Sequence, residues 1–159
     1  MGGCLSWLLT GRSVGAYFYS LGSAAISWKS RYSTQVHPSS TESEVAALYM
    51  ATSEAVWIRK LLAHLGYLQK EPTTMAEDNQ GAIKWANGDD RSGRLKHVDL
   101  KFLFIRERIL ADEIKLTYIK SQDNPADILT KPLTGSKFLD HRSALGVTGV
   151  HGMSRKDER

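Results

Sequence analysis

The sequence predicts a mixed α/β domain whose elements run β-β-α-β-α-α-β-α. Three observations carry that expectation. Two segments rich in aromatic and β-branched residues flank a glycine turn between Val14 and Ser30, apolar residues recur at helical spacing from Leu48 to Leu65, and Ile114–Lys120 alternates as a strand does. Length and composition fit one such domain. The 159 residues are 42% hydrophobic and 24% charged, which is a globular chain with enough apolar surface for a core rather than a disordered, collagenous or disulfide-stapled one.

The elements follow in order. Ala16-Tyr17-Phe18-Tyr19-Ser20 and Ala25-Ile26-Ser27-Trp28-Lys29, joined through Leu21-Gly22-Ser23, read as a hairpin. Arg31 to Ser39, polar and containing Pro38, reads as a loop. Leu48, Ala51, Ala55, Ile58, Leu62 and Leu65 step by three and four residues onto one helix face, and Gly66 supplies a stop. A short strand at Thr73–Glu77, a helix at Gln80–Ala86 and a basic helical stretch at Lys96–Leu110 follow. After the strand at Ile114–Lys120, Asn124 suits a helix cap and Pro125 its first turn, opening a helix to Lys131. The glycine-containing, charged segment from Gly149 to Arg159 reads as a frayed tail.

Charge and cysteine content narrow the setting. The single cysteine, Cys4, precludes an internal disulfide and points to a reducing compartment, cytoplasmic or nuclear. There is no apolar run of membrane-spanning length. Met1-Gly2-Gly3-Cys4-Leu5-Ser6 matches the pattern for myristoylation of Gly2 with Cys4 as a second acylation site, though one chain anchors only marginally. The net charge is +4, and residues 1–41 hold Arg12, Lys29 and Arg31 with no acid at all. The first carboxylate is Glu42.

Carboxylates are the expected reagents. His37, His64, His97, His141 and His151 are scattered without metal-ligand spacing, and neither a phosphate-binding glycine loop nor a nucleophile elbow occurs. Glu44 falls at the start of the long helix, Asp78 between a strand and a helix, and Asp127 in the first turn after Asn124-Pro125. In open α/β sheets strand ends and helix starts share one rim, where sites concentrate. Three carboxylates meeting there would make an oxygen-rich site for magnesium, which keeps part of its water and completes its shell with substrate phosphate. Each also has an ordinary capping reading: Thr41-x-x-Glu44 as a capping box, Asp78 as an N-cap, Asp127 as a charge at a helix start.

The surrounding strings favour chemistry. Ala25-Ile26-Ser27-Trp28-Lys29-Ser30, Ser39-Ser40-Thr41-Glu42-Ser43-Glu44, Glu77-Asp78-Asn79-Gln80-Gly81-Ala82-Ile83, Lys96-His97-Val98-Asp99 and Ala126-Asp127-Ile128-Leu129-Thr130-Lys131 occur in that order. The series resembles the ribonuclease H domain at the end of the polymerase polyprotein of copia-type retrotransposons, from about Arg12 to Gly146. The resemblance implies a ribonuclease H-like mixed sheet flanked by helices over residues 12–146, an atypical segment at 1–11 and a charged tail at 147–159. It implies that Glu44, Asp78 and Asp127 are catalytic metal ligands for two magnesium ions, manganese being an alternative, and that the reaction is hydrolysis of the RNA strand of an RNA–DNA hybrid. A reverse transcriptase portion of a polyprotein is the implied partner.

The family's first-strand aspartate has no counterpart, because Met1 to Thr10 contains no acid. The chain therefore reads as an N-terminally truncated copy in which the first strand is missing or replaced, with Cys4 to Leu9 available to take its place. The basic stretch supplies Arg91, Arg94, Lys96, Lys101, Arg106 and Arg108 against Asp99 and Glu107, the expected phosphate-contacting surface. His97 reads as structural, and Trp7, Trp28, Trp57 and Trp85 as core or interface residues. The competing reading is a catalytically inactive, transposon-derived remnant that binds nucleic acid.

Overall fold

The computed structural model describes residues 4–5, 14–32, 40–88 and 99–147, the side chains of residues 4–5, 40–44 and 99 excepted. The mixed α/β class holds. The strands are β1 (Cys4–Leu5), β2 (Val14–Leu21), β3 (Ala24–Tyr32), β4 (Thr73–Glu77) and β5 (Ile114–Tyr118). The helices are α1 (Ser40–His64), α2 (Gln80–Asn87), α3 (Asp99–Leu110) and α4 (Gly135–Ala144).

β2 and β3 form the expected antiparallel hairpin, turning at Gly22 with φ +67°, a left-handed conformation in which a side chain would be strained. A second, parallel sheet has the order β1-β4-β5. In it Cys4 lies opposite Thr74, Leu5 opposite Met75, and Thr73 to Glu77 pair with Ile114 to Tyr118. β1 also runs beside β2. The apolar segment expected to replace the first strand thus contributes Cys4–Leu5 between the hairpin and β4. β3 continues through Tyr32, two residues into the expected loop, since ladder pairing with Val14 and Gly15 continues to the end of the strand.

α1 covers β2 with the anticipated face. Leu48, Ala51, Ala55 and Ile58 are buried together with Val45, and Leu62 packs against them. Leu65 departs from the expectation: it follows the last helical residue, the chain turns away at Gly66 (φ +85°), and its side chain is exposed. The Tyr19 hydroxyl donates to the Ala51 carbonyl at 2.8 Å, so the hairpin and helix are joined by a satisfied buried polar group as well as apolar contact. Ile105 of α3 and Trp85 of α2 close the other side of the core, with Trp85 against Phe102. Trp85 is therefore core, whereas Trp28 and Trp57 are exposed; Trp7 lies outside the described residues.

Two corrections concern the C-terminal half. The segment opened by Asn124-Pro125 is a 3-10 turn, Pro125–Leu129, rather than a helix reaching Lys131. Pro132 explains the early stop, because a proline biases the residue before it away from helical backbone. A further helix, α4, then occupies Gly135–Ala144, where the sequence has no strong apolar periodicity. The helix is held by its end: the Ala25 amide donates to the Leu145 carbonyl at 3.0 Å. Gly146 follows at φ +74°, where an added Cβ would lie 2.4 Å from the Ser23 carbonyl oxygen.

Candidate active site

β4 and β5 are parallel neighbours, so the segments that follow them emerge on the same rim. Asp78 leaves the end of β4. Past β5, a 3-10 turn at Ser121–Asp123 leads into the one that carries Asp127. Asn124 fixes that second turn by accepting from the Ala126 amide at 3.0 Å, with Pro125 in the first position as expected. The Asp127 amide donates to the Asn124 carbonyl at 3.2 Å. Ser30 of β3 anchors the far end through its hydroxyl to the Leu129 carbonyl at 2.7 Å.

Asp127 is wholly buried. Its Oδ2 accepts from Lys131 Nζ at 2.7 Å and from Lys137 Nζ at 3.4 Å. Its Oδ1 is buried and has no hydrogen-bond partner among the described residues. Asp78, half-buried, has its carboxyl pKa raised from 3.8 by burial and, further, by the negative charge of Asp127; the Ser121 hydroxyl opposes this by bonding to the carboxylate. The two predicted aspartates are thus brought into electrostatic contact. Asp78 does not serve as the N-cap: Asn79 does, accepting from the Ala82 amide at 3.1 Å.

Glu44 lies in α1, the fifth residue of a helix that starts at Ser40, so Thr41 is within the helix rather than at its cap. The Glu44 side chain lies outside the described residues. Among the described residues no three His, Cys, Asp or Glu side chains gather closely enough to hold a metal ion. The site consequently offers a pair of carboxylates, with buried Glu77 beside them accepting from the Asn79 amide at 3.0 Å.

Several participants were not singled out from sequence. Lys131 stands four residues after Asp127, a spacing that does signal a possible pair, but Lys137 and His141 arrive on α4, the helix that periodicity did not show. His141 is buried, its Nε2 has no partner among the described residues, and its pKa lies below 6.5 because of burial, then the nearby Lys137 charge, with Asp127 and Asp140 acting in the opposite sense.

Of the basic surface, Arg91, Arg94 and Lys96, like His97, lie outside the described residues. Lys101, Arg106 and Arg108 are on α3. Arg106 is exposed and sits 5.8 Å from the Phe102 ring centre. Arg108 is engaged within the fold, 2.8 Å from Glu107, 3.3 Å from Glu113 and 5.5 Å from the Phe104 ring centre.

Over 138 residues, 87% of its length, the chain is 34% identical to the retrovirus-related Pol polyprotein from transposon RE1 of Arabidopsis thaliana. The chain is related to a region of copia-type retrotransposon Pol polyproteins. It is likewise 34% identical over 136 residues to the Pol polyprotein from transposon TNT 1-94 of Nicotiana tabacum. A Saccharomyces cerevisiae Ty1 Gag-Pol polyprotein matches 124 residues at 29% identity. This Pol-related chain spans only 9% of the RE1 polyprotein and 10% of the TNT 1-94 one. No protein-family model matches it. A polyprotein context fits the Pol relatives, and among the described residues no helix is long and apolar enough to cross a membrane.

Proposed function

We propose that this Pol-related chain is a ribonuclease H-type module that hydrolyses the RNA strand of RNA–DNA hybrids with magnesium or manganese. One observation supports this most: the buried Asp127 carboxylate keeps one oxygen without a partner among the described residues, beside a second, half-buried carboxylate at the end of a parallel strand. A buried acceptor left unpaired is costly, and a cation with its own water is a natural partner. Asp78 and Asp127 fit one divalent ion; Glu44 is the residue for completing a second. When bound, the metal supplies stabilisation of charge developing on the phosphate and lowers the pKa of water.

The chain's own residues do the rest. The Asn124 cap and the 3-10 turn hold Asp127 in place, Ser121 orients the Asp78 carboxylate, and Lys101 and Arg106 face the hybrid's phosphates. A nucleic-acid-binding remnant is the second reading. It is favoured by the absence of an acid in residues 1–41, where the resemblance calls for a first-strand aspartate.

A hybrid-cleavage assay with magnesium or manganese separates them. Turnover abolished by Asp78→Asn supports the nuclease, whereas salt-sensitive hybrid binding without turnover supports the remnant.

A further inference from the structure

We infer that Lys131 is a built-in counter-cation of Asp127, which a divalent metal has to displace before that carboxylate serves as a ligand. The inference rests on the metal reading of Asp127 given above and adds a residue that regulates it.

A carboxylate with no exposure to water stays ionised only if something compensates it. Here two ammonium groups converge on Oδ2, Lys131 at 2.7 Å and Lys137 at 3.4 Å, while Oδ1 has no partner among the described residues. The charge is therefore balanced on one oxygen, with the other left open. A metal at this carboxylate and an ammonium 2.7 Å from its Oδ2 would repel one another strongly at such separations.

The lysine is the partner free to move. Asp127 is fixed by backbone bonds from its own amide to Asn124 and from Thr130 and Lys131 to its carbonyl. The Lys131 side chain retains 31% exposure, so its flexible stem can carry the ammonium into water or onto a nucleic-acid phosphate. Lys137, longer in contact distance and carried on α4, is the weaker competitor. By linkage, whatever free energy pairs Lys131 with Asp127 is subtracted from metal affinity, and metal loosens the lysine to the same degree.

The test is manganese titration of the full chain, reading free ion by electron paramagnetic resonance, with Asp127→Asn alongside. Lys131→Gln binds manganese about tenfold more tightly than the wild type. Its melting temperature falls in chelator and recovers with manganese. Lys137→Gln tightens binding less. Lys131→Arg, which keeps the charge and guards against a folding defect in the glutamine variant, binds no more tightly than wild type.

Unchanged or weaker binding by Lys131→Gln, or tighter binding by Lys131→Arg, overturns the inference when Asp127→Asn still abolishes binding. Manganese binding indifferent to Asp127→Asn defeats the metal reading itself, and the inference with it.

Discussion

Asn79 caps α2 by accepting a hydrogen bond from the Ala82 amide at 3.1 Å, and so relieves the adjacent Asp78 of that structural duty. The carboxylate is left beside Asp127, in a setting that disfavours its charge. Asp78→Asn is therefore expected to remove hybrid cleavage and at the same time raise the unfolding midpoint at neutral pH. The sign follows from linkage: a carboxyl pKa raised in the folded state means that stability declines as pH rises from 3.8 through the folded value. Urea unfolding at pH 7 and below pH 3.8 checks it, since the variant's advantage disappears in the acid range.

His141 has the opposite linkage. Its pKa is lowered in the fold, so the unfolded chain binds the extra proton first and stability is lost as pH falls from 6.5 through the folded value. His141→Gln is expected to flatten that decline. Thermal melts between pH 7 and pH 5 measure it; an equally steep loss in the variant contradicts the assignment.

Asn124 is fully buried and caps the turn that presents Asp127. Asn124→Ala should cost about 1–2 kcal/mol in chemical denaturation. Manganese affinity should fall with it, because the fixed backbone of Asp127 depends on that turn.

On α3 the basic residues divide by their surroundings. Lys101→Ala and Arg106→Ala are each expected to reduce the salt slope of hybrid binding by about 1. Arg108→Ala should leave that slope alone and lower stability instead, since its guanidinium is held by Glu107 and Glu113. Binding measured from about 50 to 200 mM salt, beside urea unfolding of the same variants, distinguishes the two behaviours.

Much of the architecture is legible in local pattern. The hairpin, α1 and β5 each carry a strong local signal, a glycine turn between aromatic strands, an apolar face at helical spacing and a strict alternation, so period and turn chemistry are enough to find them. Asp78 and Asp127 are legible for a related reason: parallel strands send their following loops to one rim. α4 is not, because it packs on the 3-10 turn that carries Asp127 through few buried side chains, His141 and the adjoining Leu145, too few positions to mark a helical period. The positive side of the site suffers from the same blindness. Lys137 reaches Asp127, and His141 comes under the influence of its charge, through tertiary packing that no local window contains, and the choice of Asn79 over Asp78 as the cap turns on one residue of helix phase.

The bond from the Ala25 amide to the Leu145 carbonyl gives the site an independent reporter. α4 carries both Lys137 and His141, and its C-terminal end is fastened to the hairpin through that bond, with Gly146 folded tightly against Ser23. Any opening that swings these side chains away from Asp127 by lifting the end of the helix also exposes the Ala25 amide to deuterium. Exchange at this one β3 position thus times the release of the helix, without a substrate and without a change in the strand itself.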